Sequence, residues 1–104
     1  MAQFGNLEST LLAVWQQALV EQASAVTVEG HTFPVRNTPK RGLKQVDFRF
    51  GDREIRGLEQ NPATNSRWAA MARAGQKVMQ FLEGGQYIAV VTDGKLHSYH
   101  KEKK

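Results

Sequence analysis

Three two-residue turn signals, each set between runs of strand-forming residues, constrain this chain more than any other feature: Glu29-Gly30, Gly51-Asp52 and Asp93-Gly94. Dipeptides of this kind tolerate the positive φ of the tight turns whose twist matches that of paired strands, so each predicts a β-hairpin. A two-residue turn also fixes register. In the first hairpin, Ala25–Val28 with His31–Val35, Val28 should face His31 and Val26 should face Phe33, with Thr27 and Thr32 on the other side. His31 is expected to be half-buried. In the second, Leu43–Phe50 with Arg53–Glu59, Phe48 should pair with Ile55 and Val46 with Gly57, leaving Gln45, Asp47 and Arg49 outward. That alternation predicts a sheet with one face packed and one face wet. Leu58 then points outward, and a bulge near Gly57 is the expected repair. In the third hairpin, Tyr87–Thr92 with Lys95–His100, Ile88 and Val90 face one way and Ala89 and Val91 the other, as in a sheet interior.

Two segments carry helical periodicity. Leu7, Leu11, Val14 and Ala18, widened by Leu12, Trp15 and Leu19, predict an amphipathic helix over Leu7–Gln22, with Asn6 or Ser9 as its cap. Trp68, Met71, Ala72, Gly75, Val78, Met79 and Leu82 predict a second over Asn65–Glu83, stopped by Gly84-Gly85. The expected fold is a single α+β domain over residues 1–104: one antiparallel sheet of about six strands in three hairpins, with two helices covering mainly one face, in the order αββββαββ. Arg36–Gly42 is the one long internal connection, and Lys101–Lys104 should fray. A chain of this length buries somewhat more than ~60% of its unfolded surface, enough for one core. Trp15, Trp68, Met71 and Met79 are assigned to that core, since each sits on an apolar stripe.

The absence of cysteine rules out disulfides and thiolate chemistry. The N-terminus has no basic flank, and Gln16, Gln17 and Glu21 interrupt its apolar stretch, unlike a secretory leader. No apolar run reaches the length of a membrane span. Together these suggest a cytoplasmic protein with no membrane partner.

Charge is distributed unevenly. Residues 1–35 hold three acids and no Lys or Arg, whereas Arg36–Arg56 holds seven cations against three acids. A basic segment beside an acidic one predicts a surface that meets a polyanion or an acidic protein patch. Arg36, Lys40, Arg41, Lys44, Arg49 and Arg56 are the candidate phosphate contacts. Phe48 and Phe50 share the parity of Val46, which makes them core residues rather than stacking platforms. The competing reading is a solvated surface that blunts a sheet edge.

The strand-to-helix junction Arg56–Trp68 is the second candidate. Asn61, Asn65, Ser66 and Arg67 could gather around an anion, although capping alone explains Asn and Ser before a helix. The histidines predict no metal site, because His97 and His100 lie three apart on a strand and point to opposite faces. Asp47, Glu54 and Glu59 are acids on neighbouring strands, but each has a cation close by in sequence. No nucleophile elbow, phosphate loop or zinc helix is present, and no cofactor is implied.

The order of two hairpins followed by a helix, Ala25–Glu83, is similar to the repeating unit of Whirly-type, coactivator-type and Pur-type single-stranded-DNA binders. The resemblance is one of element order, and the preceding helix and following hairpin depart from it. It implies nucleic acid held on the sheet face opposite the helix, dimerisation, and contacts from Lys44, Gln45, Arg49 and Arg56. The functional expectation is therefore a non-enzymatic binding module with a basic surface that takes single-stranded nucleic acid. The alternative is a protein-interaction or small regulatory domain, with homodimerisation through a strand edge open to it.

Overall fold

The computed structural model describes residues 6–98. The Asn6 cap, His100 and the Lys101–Lys104 tail lie outside what is described of side chains and termini. The fold is α+β, with two helices and one antiparallel sheet of seven strands in sequential order. Helix α1 spans Asn6–Trp15 and runs into a single π-helical turn, Gln16–Val20. Its wider winding is marked by Glu21 N–H donating to Gln16 O at 2.9 Å. The strands are β1 (Ala25–Val28), β2 (His31–Asn37), β3 (Lys44–Phe50), β4 (Arg53–Glu59), β5 (Val78–Glu83), β6 (Gln86–Thr92) and β7 (Lys95–Ser98). Helix α2, Arg67–Arg73, lies between β4 and β5.

The expected hairpin registers hold. Val26 faces Phe33 and Val28 faces His31, Phe48 faces Ile55, Val46 faces Gly57, and Thr92 faces Lys95 across the last turn. His31 is nonetheless exposed, because it stands at the mouth of a turn with nothing packed over it. No bulge occurs at Gly57: the β3–β4 ladder is regular and Leu58 stays on the outer face, half-buried opposite Gln45. The bulge lies instead between β5 and β6, where Phe81 pairs with Ala89 but Leu82 pairs with Tyr87.

The second helix is much shorter than expected. Ser66 caps it, its hydroxyl accepting from Ala69 N–H at 3.1 Å. It ends at Arg73, and the chain passes through Gly75 at φ +99°, a conformation that L side chains resist. Val78–Glu83 then forms a central strand, and Gly84-Gly85 turns the β5–β6 hairpin instead of stopping a helix. This is why the sheet has seven strands.

The helices cover opposite faces of the sheet. Leu11, Val14, Trp15, Ala18 and Leu19 pack with Val26, Val28, Val46, Phe48, Ile55, Met79, Phe81, Ala89 and Val91 in the main core. Trp68 of α2 packs on Val78 and Val90, whose side chains emerge from the other face. Strands β5 and β6 are thus buried on both sides at this end, as parallel-type strands usually are. Trp15 ties the layers together, its Nε1–H donating to Lys77 O at 2.8 Å. Gly57 lets β4 pass beneath Met79, Phe81 and Val46, any of which a Cβ would crowd. At the far end, Glu29 Oε1 accepts Gly51 N–H at 3.0 Å and joins the first two hairpin turns.

Candidate functional site

The basic segment divides into two parts with different electrostatics. The first is the β2–β3 connection. Thr38 N–H donates to Leu43 O at 2.8 Å and Gly42 N–H donates to Thr38 O at 3.0 Å. The Thr38 hydroxyl accepts from Leu43 N–H at 3.0 Å, and Asn37 Nδ2 donates to Gly42 O at 2.9 Å. Such side-chain-to-backbone bonds are what Asn and Thr supply in turns. They fix the loop and leave Lys40 and Arg41 exposed at its tip, with Arg36 exposed on β2 beside it. Among the described residues Arg36, Lys40, Arg41 and Lys44 make no ion pair. Lys44 sits half-buried at the start of β3 on the core parity, and its backbone N–H donates to Glu59 Oε1 at 2.9 Å.

The second part is the outer sheet face, where register sets cation against acid. Asp47 lies opposite Arg56, and Arg56 Nε reaches Asp47 Oδ1 at 2.7 Å. Arg49 lies opposite Glu54, with 3.9 Å between Nη2 and Oε2. On the flank, Arg53 grips Glu83 with two bonds of 2.9 and 2.7 Å. That hydrogen bonding raises the Arg53 pKa, against a smaller opposing effect of burial and with help from the charges of Glu83 and Asp52. The Arg49 and Arg56 pairs border an open groove of about 560 Å³ that continues to Leu82 and Gly84-Gly85. Exposed pairs of this kind contribute about 0–1 kcal/mol. They offset the charges of Arg49 and Arg56 locally.

The outer face is also the face on which α2 sits, since Gln45, Leu58, Gln80, Val90 and His97 form one cross-strand row. Helix α2 covers the far end of that row, where the Trp68 and His97 rings lie 5.1 Å apart. The arrangement implied by the single-strand-binder resemblance, with the helix on one face and Gln45, Arg49 and Arg56 on the other, is not the one found.

At the strand-to-helix junction each candidate has a structural task. Asn61 Oδ1 accepts Ala63 N–H at 2.8 Å, and Ser66 caps α2. Arg67 places its guanidinium 4.4 Å from the centre of the Trp68 ring. Asn65 is exposed. Arg73 donates to Pro62 O and to Thr64 O, closing the turn from below. Beneath them lies Gln60, which the sequence did not single out. Its Nε2 donates to Asn61 O at 3.0 Å and Thr64 Oγ1 at 3.1 Å, while its buried Oε1 has no protein partner. Among the described residues no group of three or more His, Asp or Glu could hold a metal, and no helix is long and apolar enough to cross a membrane. No protein-family model, curated protein or solved structure matches this chain.

Proposed function

We propose that this chain is a non-enzymatic, cytoplasmic binding module that holds a polyanion, with single-stranded nucleic acid as the concrete candidate, through phosphate contacts centred on the β2–β3 loop. The observation that carries this reading is the contrast just described: Arg36, Lys40 and Arg41 are exposed on and beside a hydrogen-bonded loop and lack acid partners among the described residues, whereas Arg49 and Arg56 are paired. The loop cations meet the anion first. Arg49 and Arg56 join by exchanging a carboxylate for a phosphate, and Lys44 adds charge at the base. The Asn61, Asn65, Ser66 and Arg67 cluster supports a separate anion site less well, because Asn61 and Ser66 are spent on backbone donors.

The test is a shift titration with a short mixed-sequence DNA strand at low and high salt. Three neutralised phosphates should lower the affinity about 100-fold per tenfold rise in salt, at ~0.7 log units per phosphate on a single strand. The doubly reversed Lys40→Glu, Arg41→Glu variant should lose binding and keep its melting temperature, because exposed loop positions change stability by about 0.5 kcal/mol or less. Absence of binding at low salt would end the nucleic-acid reading. Binding untouched by the reversal would move the site away from this loop.

A further inference from the structure

A sheet that does not close has two edges, and this one treats them differently. β1 is one edge and β7 the other. In a hairpin with a two-residue turn the closing pair is hydrogen-bonded and the next pair is not, so alternate residues aim their backbone groups away from the partner strand. In β1 the closing residue is Val28, so Thr27 points outward. Its N–H donates to Gln17 Oε1 at 3.0 Å, and its C=O accepts from Gln17 Nε2 at 3.4 Å. Gln17 lies in the π-helical turn, and its side-chain amide stands where a neighbouring strand's peptide group would stand. At Thr27 the β1 edge is therefore occupied from within the chain.

β7 carries no such cover among the described residues. Its closing residue is Lys95, so Leu96 and Ser98 turn their N–H and C=O groups outward. Exposed edges of this kind are templates for strand addition. We propose that β7 accepts an extended, acidic segment of a partner protein as an eighth, antiparallel strand. The neighbours it would meet select its chemistry. Toward the outer face it meets exposed Lys95 and half-buried His97, with Arg67 stacked on the Trp68 ring that contacts His97. Toward the inner face it meets Leu96, a half-buried residue at the margin of the main core. An alternation of acidic and apolar residues fits both: the acids pair across the strand with Lys95 and His97, and the apolar residues extend the core. A second copy of this chain suits the edge poorly. It would bring one Lys95 and His97 against another, between chains that each carry a formal charge of +4.

The proposal stands on residues separate from the β2–β3 loop, and the experiment keeps the two apart. The probe is an acetylated, amidated heptapeptide of alternating Glu and Val, with a Lys-Val peptide as control. The readout is amide hydrogen exchange at Leu96 and Ser98 in the intact chain. In the free protein both amides should exchange rapidly, and the Glu-Val peptide should slow both while the Lys-Val peptide does not. Lys95→Glu should weaken the peptide about tenfold at unchanged melting temperature, by turning a cross-strand attraction into a repulsion. The Lys40→Glu, Arg41→Glu variant should bind it as well as the parent. Four results would overturn the proposal: protection of both amides in the free, dilute protein, which would mean the chain's own termini cover the edge; protection that grows with protein concentration alone, which would mean a second copy does; equal protection by both peptides or by neither; or loss of peptide binding on reversal of Lys40 and Arg41.

Discussion

Replacing Gly57 by Ala should destabilise the protein although it adds a single methyl group to a strand. Gly57 sits mid-β4, between Val46 on β3 and Phe81 on β5. A Cβ there would stand 3.0 Å from Met79 Sδ, 3.0 Å from Phe81 Cε1 and 3.3 Å from Val46 Cγ1. Comfortable carbon–carbon separations are about 3.5–4.0 Å, so Met79 and Phe81 must each retreat by roughly half an ångström and Val46 by less. The Met79 thioether can turn. The Phe81 ring is fully buried and meets Phe48 edge-on at 6.1 Å, so it cannot move without disturbing a second aromatic. Overpacking of this kind costs about 1–3 kcal/mol, and the lower chain entropy of Ala returns about 0.5–1 kcal/mol. The net loss is about 1–2 kcal/mol, and at roughly 4–8 °C per kcal/mol for a domain of this size Tm should fall by about 5–15 °C. Thermal and urea denaturation followed by circular dichroism measure it. Phe81→Leu relieves the clash, so the double variant should be more stable than the sum of the two single losses allows. A Tm that stays level or rises in Gly57→Ala, or strict additivity with Phe81→Leu, would refute the claim that the ring fills the glycine's place.

Trp68→Ala should cost about 3–5 kcal/mol and expose α2 first, because Trp68 is its anchor to Val78 and Val90; hydrogen exchange in α2 should rise before that in β3 and β4. Gln17→Leu strips both outward groups of Thr27 of their partner and should cost about 1 kcal/mol; sedimentation should then show association that depends on concentration, through the newly opened β1 edge. Glu83→Gln removes the charge that grips Arg53 and should change stability by less than about 1 kcal/mol, because the pair is exposed. The raised pKa of Arg53 means that its share of stability is complete below the ordinary arginine value and is lost only as pH climbs through a still higher one. Unfolding measured from neutral to mildly alkaline pH should therefore show no slope arising from this pair.

The hairpins were readable because two-residue turns and alternating side chains are local properties, and Phe48 opposite Ile55 follows from counting back from Gly51-Asp52. The same count places Asp47 against Arg56 and Arg49 against Glu54, so the neutralised outer face was implicit in the register. β5 was not readable. Val78, Met79 and Phe81 are buried on both faces of the sheet, so the strand lacks alternation, and Trp68, Met71, Val78, Met79 and Leu82 fall by coincidence on a helical stripe. The break lay in Gly75, which reads as a tolerated helix glycine until its positive φ is seen. Which face α2 takes is a tertiary outcome, set by Val78 and Val90 emerging opposite the α1 core. The bracket of Gln17 on Thr27 and the orphaned Gln60 Oε1 had no signal at all, because a glutamine's partners depend on elements remote in sequence.

The sequential strand order has a kinetic consequence. Every strand pairs with its neighbours in the chain, so six ladders can zip one after another, each closing a short loop except β4–β5, whose connection carries α2. Helix α1 is the exception. It precedes every strand in the chain, but it must find β5, β6 and β7, and its Trp15 reaches the carbonyl of Lys77, 62 residues away. Hairpin formation takes about 1–10 μs, whereas closure across most of the chain must wait for those hairpins to assemble. The docking of α1 should thus be a late step of folding, completed after the main barrier. Substitutions at Leu11 or Val14 would then chiefly accelerate unfolding, and those in the β3–β4 hairpin would slow refolding.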